Sequence, residues 1–401
     1  MKIVEINTVN GTGSTGKIAV ALYNLAKEKN HDSYIAYGRG ANPANTKGIK
    51  IGTFFDFGTH VLSNFFLGNS GFASKRVTLK FLNWLDSIKP DLIHLHNLHG
   101  FYIHIGLLFD YIKANNIPVI WTLHDCWSFT GQCAHFDYAN CNKWQKQCYS
   151  CPIFRTDYPY SLFRDNSKKN YINKRNAFSN VANLTIVTPS AWLASLVKES
   201  YLKNYNIRTI HNGIDLQLFK PTPFPNSPLG NKKILLGVAN VWTEKKGLNY
   251  FLALAEQMNE EFHIVLIGAS NKQAKKLNPK YPDMLTAITR TANQKELAQW
   301  YSVAHAFINP TLEDTFPTTN LEALACGTPV ITFNTGGSPE SITETSGIVI
   351  EKGNISKLKE AILSLESRTD ITSITCREQA LKFNKDILFQ EYLHLYQNIL
   401  N

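Results

Sequence analysis

The chain has 401 residues, of which 44% are hydrophobic and 12% aromatic. This composition excludes a disordered protein, and the length predicts two to three domains that can each bury a core. The formal net charge of +10 suggests acidic partners, such as phosphorylated substrates, an anionic membrane surface or nucleic acid, and does not choose among them.

Strand and helix patterns alternate along the chain, which predicts an α/β protein with parallel, doubly wound sheets. In the first half, the predicted strands are Lys2–Thr8, Ser33–Tyr37, Asp91–His96, Pro118–His124, Leu184–Pro189 and Ile207–His211, and the predicted helices are Lys17–Lys29, Lys75–Ile88, Ile105–Asn115, Lys169–Ala182 and Ala191–Glu199. In the second half, the strands are Lys233–Ala239, Phe262–Gly268, Ala306–Asn309 and Pro329–Phe333, and the helices are Gly247–Met258, Gln294–Ser302, Thr319–Ala325 and Ser356–Glu366.

A proline-rich segment near the middle, Leu216–Asn231, predicts a linker because proline excludes a helix and stiffens a connection. Its prolines are Pro221, Pro223, Pro225 and Pro228. The predicted domains are therefore Rossmann-like halves over residues 1–215 and 216–384, followed by a helix at Lys385–Leu400. Such folds bind ligands at the carboxyl ends of their strands, so we expect one cleft that both halves face.

The N-terminal segment Met1–Ile6 reads as a strand, which is too short for a secretory signal. The uncharged stretch Phe57–Ser74 is too polar to span a bilayer, and its pattern favours an amphipathic core helix over a helix at a membrane interface. We therefore expect a cytoplasmic protein that is at most peripheral to a membrane.

A glycine-rich loop follows the first predicted strand, with the sequence Asn10-Gly11-Thr12-Gly13-Ser14-Thr15-Gly16-Lys17-Ile18. Its spacing approaches a Walker A motif, but Ile18 replaces the Ser or Thr that would hold magnesium. We favour a turn around Gly13 that lets the backbone approach a donor phosphate or the acceptor.

Four histidines lie near the ends of neighbouring predicted strands. His124 ends the strand that begins at Pro118, so its side chain should point toward the ligand site. His94, His96 and His99 invite a zinc interpretation, but no carboxylate partner is evident for them. We favour polar groups of the cleft or hydrogen-bonded core histidines.

A cysteine-rich insertion spans residues 126–152 and contains Cys126, Cys133, Cys141, Cys148 and Cys151. In a cytoplasmic protein such clustering favours a metal over disulfides. We favour a structural zinc bound by Cys133, Cys141, Cys148 and Cys151, with free or reactive thiols, disulfides or another metal as alternatives. Residues 143–175 hold eight Lys or Arg against two Asp, which suits an acceptor or membrane face as well as an ordinary solvated surface.

The segment Leu312–Ile342 carries the most specific pattern. Asp314 precedes Glu322 by eight residues, and Thr318 and Thr319 lie where they can cap the helix that begins there. A helix N-terminus offers N–H groups to a phosphate, and Glu322, about one turn further, can accept hydrogen bonds from a ribose. The arrangement suits a nucleotide diphosphate; the alternative is an ordinary capped helix after a loop.

The order of an acid, seven residues, a Glu and then Ala323-x-Ala325-x-Gly327-x-Pro329-Val330 resembles the donor-site motif of glycosyltransferase family 4, whose members are retaining enzymes of GT-B fold. The resemblance implies that Glu322 binds the ribose. It implies that Asp314, where the family usually has Glu, contacts the sugar, with Glu313 as the alternative. Lys246, which precedes Gly247, matches a lysine that clamps the diphosphate.

Further implications of the resemblance concern the rest of the site. An arginine of the family's clamp aligns with Asn240, and Lys245 could supply the missing cation from another angle. His124 resembles the family's active-site histidine, which contacts the donor sugar near the reacting carbon. The final helix, in residues 385–401, resembles one that crosses back to the N-terminal domain.

These features predict a retaining transferase that moves a hexose-type sugar from a nucleotide diphosphate sugar to a glycan or polyprenyl-diphosphate-linked acceptor. The implied process is surface polysaccharide biosynthesis, such as that of capsule, exopolysaccharide or O-antigen, at the inner face of the cell membrane. Catalysis should require no cofactor, and nucleic acid is not an expected partner. The alternatives are a nucleotide-sugar epimerase or hydrolase of the same fold and a non-catalytic nucleotide-sugar binding protein.

Overall fold

The computed structural model describes residues 1–225 and 229–400, which form two compact units. The first unit comprises Met1–Ile210 and the chain from Phe389 onward, and the second comprises His211–Leu388. The predicted boundaries, after residues 215 and 384, both fall within the second unit, a few residues from its start and from its end. The segment after Ile210 belongs to the second unit because the backbone of Ile214 pairs with that of Phe383 and Lys385, at 2.8 and 3.1 Å.

The first unit contains a parallel sheet of seven strands in the order β3-β2-β1-β4-β5-β6-β7. These strands are β1 (Lys2–Val9), β2 (Asp32–Arg39), β3 (Gly48–Lys50), β4 (Leu92–Leu95), β5 (Val119–Thr122), β6 (Leu184–Thr188) and β7 (Asn206–Thr209). Its helices are α1 (Gly13–Glu28), α2 (Phe54–Leu67), α3 (Lys75–Ile88), α4 (Ile105–Ala114), α5 (Ser167–Phe178) and α6 (Ala191–Glu199).

The second unit contains a parallel sheet of six strands in the order β10-β9-β8-β11-β12-β13. These strands are β8 (Lys233–Val238), β9 (Phe262–Ile267), β10 (Leu285–Ile288), β11 (Ala306–Asn309), β12 (Val330–Phe333) and β13 (Gly347–Ile350). The helices are α7 (Leu248–Gln257), α8 (Asn271–Lys280), α9 (Gln294–Val303), α10 (Thr318–Ala325), α11 (Ile355–Ser364), α12 (Ser373–Leu381) and the start of α13 (Lys385–Leu400). Two parallel sheets with interleaved helices confirm the predicted doubly wound class.

The sequence pattern predicted most of the strands correctly because those strands are buried. β9 is buried along its whole length, as expected for a central strand of a parallel sheet covered on both faces. The elements that the pattern missed are short edge strands or helices that bury few apolar residues: β3, β10, β13, α8 and α12. The three residues of β3 are too few to form a pattern, and α8 buries a single residue, Leu277.

The predicted linker, Leu216–Asn231, begins as a packed part of the second unit. Leu216 and Phe219 are buried, and the Arg377 guanidinium donates hydrogen bonds to their carbonyl oxygens at 2.9 and 2.6 Å. Residues 226–228, which include the predicted Pro228, lie outside the described residues.

α2 differs from its prediction as a core helix. It begins at Phe54, and its buried residues are the polar His60 and Asn64, whereas several of its apolar residues are exposed. The prediction of a buried apolar face is therefore wrong. Among the helices formed by residues 1–225 and 229–400, none is long and apolar enough to cross a membrane.

Candidate functional site

The N-terminus of α10 lies at the carboxyl end of the second sheet, after β11. Pro317 is the N-cap residue, and Thr318 and Thr319 are the first two helical residues, both half-buried. In the described chain no side chain caps α10, so the prediction that these threonines cap it is wrong. Because the first N–H groups of a helix have no partner within it, those of α10 can bind an anion.

Two lysine–carboxylate pairs connect the β8–α7 loop to the β11–α10 loop. The Lys246 Nζ lies 2.8 Å from the Asp314 Oδ2, and the Lys245 Nζ lies 3.0 Å from the Glu313 Oε2. The Glu313 side chain is 5% exposed and that of Asp314 is 21% exposed. Asp314 is therefore the more accessible of the two acids to a ligand.

Gly247 explains how the β8–α7 loop comes so close to β11. Its φ of 81° lies in the left-handed region, and a Cβ there would be 2.3 Å from the Pro310 carbonyl oxygen. The Leu312 N–H donates to the Lys245 carbonyl at 2.8 Å, which ties the two loops together. A glycine directly after Lys246 thus fixes the lysine beside the acids.

Glu322 lies on the first turns of α10, four residues after Thr318. Its Oε2 accepts a hydrogen bond from the Tyr301 hydroxyl at 2.9 Å. Burial, together with the Glu322 charge, holds the pKa of Tyr301 well above its usual value, so the tyrosine stays a donor. Sequence reasoning missed Tyr301 because it comes from α9, where no motif singles it out.

The remaining predicted donor residues are exposed backbone or loop positions. Asn240 follows β8 and is exposed, at the position where the resemblance implies an arginine. Gly13, at the start of α1 in the first unit, has a φ of 64°, and no described atom lies within 4 Å of where its Cβ would be. Ile18 is 8% exposed and packs in the core, so the loop lacks the hydroxyl of a P-loop.

His124 follows β5 in the first unit, next to a second histidine. Its Nε2 lies 3.1 Å from the His96 Nδ1, and the two rings stack at an interplanar angle of 15°. Burial lowers the pKa of His124 to about 4. The ring is therefore neutral at physiological pH and can donate or accept a hydrogen bond.

A buried polar network continues from His124 across the first sheet. The His96 Nε2 lies 3.3 Å from the Glu5 Oε2, and His94 contacts the Tyr396 hydroxyl at 2.7 Å and the Thr122 hydroxyl at 2.8 Å. The expectation that these histidines lack a carboxylate partner is therefore wrong. β1 and β4 are neighbours that align Glu5 with His94, a pairing that the sequence alone does not reveal.

His99 belongs to a separate carboxylate–histidine pair beside His124. Its Nε2 lies 2.7 Å from the Asp125 Oδ2, and the Trp127 N–H donates to the same carboxylate at 2.9 Å. Although burial opposes ionisation, His99 and this N–H lower the pKa of Asp125 to about 2. The carboxylate therefore stays ionised and orients His99.

The four cysteines of the predicted zinc site line one cavity of about 20 Å³ in the insertion between β5 and α5. Their sulfur atoms are not gathered around one point. Within the described residues, Glu5, His94 and His96 form a set of three candidate metal ligands whose atoms lie within 4.8 Å of one another. No cysteine of the described chain belongs to such a set. A tetrahedral zinc needs sulfur atoms about 3.8 Å apart, so metal binding would have to draw the thiols together.

Comparison with protein families gives two matches along the chain. Residues 18–218 match Glycosyltransferase Family 4, and residues 232–368 match Glycosyl transferases group 1. The putative colanic acid biosynthesis glycosyl transferase WcaC of Escherichia coli is 22% identical over 430 residues, with 100% of both chains covered. An N,N'-diacetylbacillosaminyl-diphospho-undecaprenol alpha-1,3-N-acetylgalactosaminyltransferase of Campylobacter jejuni is 24% identical and covers 52% of this chain and 58% of its own.

Solved structures resemble the whole chain. Sucrose-phosphate synthase from Thermosynechococcus elongatus aligns with a TM-score of 0.72 at 16% identity, covering 100% of this chain and 99% of its own. HepE of Anabaena, in complex with UDP, aligns with a TM-score of 0.68 at 15% identity, covering 99% and 100%. These likenesses confirm the predicted GT-B fold.

Proposed function

Because the chain belongs to glycosyltransferase family 4, we propose that it transfers a hexose-type sugar, with retention, from a nucleotide diphosphate sugar to a glycan or lipid-linked acceptor. The observation that carries this proposal is the cluster at the N-terminus of α10. N–H groups, the Lys246 ammonium and two hydroxyl-binding carboxylates lie there within one half of the fold. Such a set matches the parts of a nucleotide sugar: phosphates, sugar hydroxyls and ribose.

In this proposal each group has one chemical task. The N–H groups of Thr318 and Thr319, with Lys246 and Lys245, bind the diphosphate and stabilise its charge as the sugar bond breaks. Glu322, held by Tyr301, accepts hydrogen bonds from the ribose. Asp314 and His124 contact the sugar. The turn around Gly13 lets the backbone approach the donor phosphate or the acceptor, and Asn240 stands where the family's clamp has an arginine.

The acceptor proposal rests on the relatives. One acts, by its name, on a diphospho-undecaprenol, and another is named for colanic acid biosynthesis. We extend these classes to this chain and propose a role in surface polysaccharide synthesis, in the cytoplasm at the inner face of the membrane. An epimerase, a hydrolase or a non-catalytic binding protein is not favoured, since the matched relatives are named as transferases.

A structural zinc in the cysteine-rich insertion is a further part of the proposal. Cys133, Cys141, Cys148 and Cys151 line one cavity, and the Gly131 N–H donates to the Cys148 sulfur at 3.1 Å. Burial raises the pKa of the Cys133 and Cys148 thiols, so without a metal they stay protonated. The insertion is largely irregular, and small irregular segments commonly need a metal or disulfide for stability.

Isothermal titration with UDP, GDP and CMP, and with their sugars, tests the donor site. We expect one nucleotide class to bind, and Glu322→Ala to weaken its binding by about 10-fold or more, since hydrogen bonds to a charged group are worth about 1.5–3 kcal/mol. Glu360→Ala, an exposed site on α11, is the matched control. Full donor affinity in Glu322→Ala, or no binding of any nucleotide, would reject the donor-site assignment.

A further inference from the structure

The buried residues of α2 are polar, and several of its apolar residues are exposed. His60 and Asn64 are buried: the His60 Nδ1 lies 2.8 Å from the Ser74 Oγ, and the Asn64 Nδ2 donates to the Tyr160 carbonyl at 2.7 Å. The exposed apolar residues of the helix, with their exposed fractions, are Phe54 (85%), Phe55 (77%), Leu62 (56%), Phe66 (49%) and Leu67 (48%). A surface helix of a water-soluble protein normally has the opposite arrangement.

Three of these exposed residues form one stripe along the helix. At 100° per residue, Phe55, Leu62 and Phe66 lie within about 40° of one another around the helix, and His60 and Asn64 lie on the opposite side. Asp56 is the one charged residue of α2, and its carboxylate caps the helix by accepting from the Thr53 N–H at 2.9 Å. The stripe itself therefore carries no charge.

A second segment extends the apolar stripe. The Leu162 N–H donates to the Phe65 carbonyl at 3.0 Å, which fixes residues 160–163 against the end of α2. The ring of Phe163, 64% exposed, stacks on that of Phe66 with centroids 5.2 Å apart and an angle of 8°. We call the outward residues of α2 together with Leu162 and Phe163 the α2 surface. Exposed apolar patches of this kind mark contact sites.

Basic side chains lie beside the end of α2, and we call Lys75, Arg164 and Lys169 the basic rim. Arg164 follows Phe163 and is exposed. A cavity of about 440 Å³ next to the end of α2 is lined by Asn69, by Lys75 and Lys169, both exposed, and by one acid, Asp110. Asn170, which also lines this cavity, donates to the Gly68 carbonyl at 2.7 Å and so joins it to the helix.

We propose that the α2 surface docks the first unit onto an anionic lipid bilayer, with the phenylalanines inserted among the acyl chains and the basic rim on the headgroup phosphates. Charge decides between this occupant and a second copy of the chain. A two-fold contact through this surface would bring two like-charged basic rims together, whereas an anionic bilayer complements them. The membrane proposal rests on the proposed function in one respect: a lipid-linked acceptor lies in the membrane, so the enzyme would meet it there.

Vesicle co-sedimentation of the full chain tests this surface. Vesicles of phosphatidylcholine alone are compared with vesicles that also contain phosphatidylglycerol. We expect binding to the anionic vesicles that weakens with salt. Phe54→Ser with Phe55→Ser should lower that binding at least about 10-fold, because burying one phenylalanine is worth more than one factor of ten. Lys75→Gln with Lys169→Gln should reduce the preference for phosphatidylglycerol.

Ile374→Ser with Ile387→Ser is the matched control, because these residues of the second unit are 71% and 62% exposed and should leave vesicle binding unchanged. No binding of the parent protein to either vesicle, or equal losses in the control, would overturn the proposal. So would a dimer in solution that Phe54→Ser with Phe55→Ser dissociates, since the surface would then join two copies. Nucleotide binding to the same variants, measured separately, stays intact if only the membrane proposal fails.

Discussion

At the scale of single residues, the two lysines of the donor region differ in their exposure and in the burial of the carboxylates with which they pair. Lys246 is 41% exposed and pairs with a half-buried carboxylate, whereas Lys245 is 28% exposed and pairs with a buried one. Lys246 can therefore turn to a ligand more readily. Lys245 contributes to holding the loop, because moving it would leave the buried Glu313 carboxylate without this cation.

Replacement of Lys246 should weaken nucleotide diphosphate binding more than nucleoside monophosphate binding. We expect Lys246→Ala to lower the affinity for the diphosphate about 10- to 100-fold, the value of one or two charge-assisted hydrogen bonds. Titration calorimetry with both nucleotides measures the difference. Lys272→Ala, an exposed lysine of α8, is the control. Equal losses for the two nucleotides would show that Lys246 does not bind the second phosphate.

Glu5 should make the fold sensitive to alkali. Burial raises its pKa well above the usual value, so the folded protein retains a proton that the unfolded chain loses. Stability should therefore fall as pH rises from about 4.5 through the folded pKa, by at most about 1.4 kcal/mol per pH unit. Glu5→Gln, a neutral isostere, should abolish this contribution, and its advantage over the parent should grow with pH.

Urea unfolding at several pH values measures the Glu5 effect, and Glu360→Gln on the exposed face of α11 is the control. The buried histidines affect the stability of the fold at acidic pH instead. Burial lowers the pKa of His94 to about 3, so the parent and Glu5→Gln should both lose stability as pH falls below about 6.5, where the unfolded histidine gains a proton. A constant difference between parent and variant over the whole range would contradict a protonated Glu5.

At the scale of elements, the β8–α7 loop is limited by its close approach to β11. Gly247→Ala would bring a Cβ to within 2.3 Å of a backbone oxygen and would also place alanine at positive φ. We expect a loss of about 2 kcal/mol or more, and a lower melting temperature. Gly230→Ala is a matched control, since its φ of 56° is also positive but no described atom lies within 4 Å of its Cβ. Similar losses in the two variants would exclude the steric cause.

The cysteine-rich insertion should lose stability without its proposed zinc. Protein purified without chelators should contain one zinc per chain, and chelation should lower the melting temperature, because a structural metal contributes folding free energy. Cys148→Ser should reduce metal content, while Cys376→Ser, a buried thiol of α12 in the second unit, should not. Absence of metal together with four titratable thiols would reject the zinc site.

Lys174, a buried lysine of α5, provides an electrostatic argument for the proposed zinc site. The side chain is fully buried, and its Nζ donates to the Trp127 and Thr130 carbonyls at 2.7 and 3.2 Å. Burial lowers the pKa of Lys174 to about 7, because a buried ammonium is costly unless an anion lies near. A zinc with four thiolates carries two negative charges, so it would supply such an anion beside this lysine.

At the scale of the whole molecule, the sequence predicted what depends on local pattern. The parallel sheets follow from buried apolar runs such as β9. Glu322 is proposed from its place in a helix, and Lys246 from the resemblance to the family. Contacts between distant segments could not be predicted in this way. Glu5 meets His96 only because β1 and β4 are neighbours, and Tyr301 reaches Glu322 from another helix.

α2 shows a different limit of the sequence pattern. Its periodicity is that of an amphipathic helix. Such a pattern identifies an apolar face but does not show whether that face packs in the core or is exposed to solvent. The burial of His60 and Asn64 depends on Ser74 and the Tyr160 carbonyl, which lie 14 and 96 residues away in the sequence. The face that looked like core is therefore a surface.

Retention of anomeric configuration is the last prediction, and it concerns the reaction as a whole. An inverting transferase needs a general base whose pKa lies near the working pH. Burial lowers the pKa of His124 to about 4, which makes it a weak base at pH 7. The departing phosphate, with a pKa of about 6, is better suited to take the acceptor proton, and it leaves from the face where a retained product forms.

Proton NMR of the product formed from an α-linked nucleotide sugar should therefore show an α linkage. His124→Gln, which keeps a neutral hydrogen-bonding side chain, should retain part of the activity and the same anomer, whereas His124→Ala should lose more, since it removes the polar contact as well. The pH profile of the parent should show no step near 6.5 from this histidine. A β-linked product would contradict retention, and inactivity of His124→Gln with a rate that rises through pH 6.5 in the parent would identify His124 as the base.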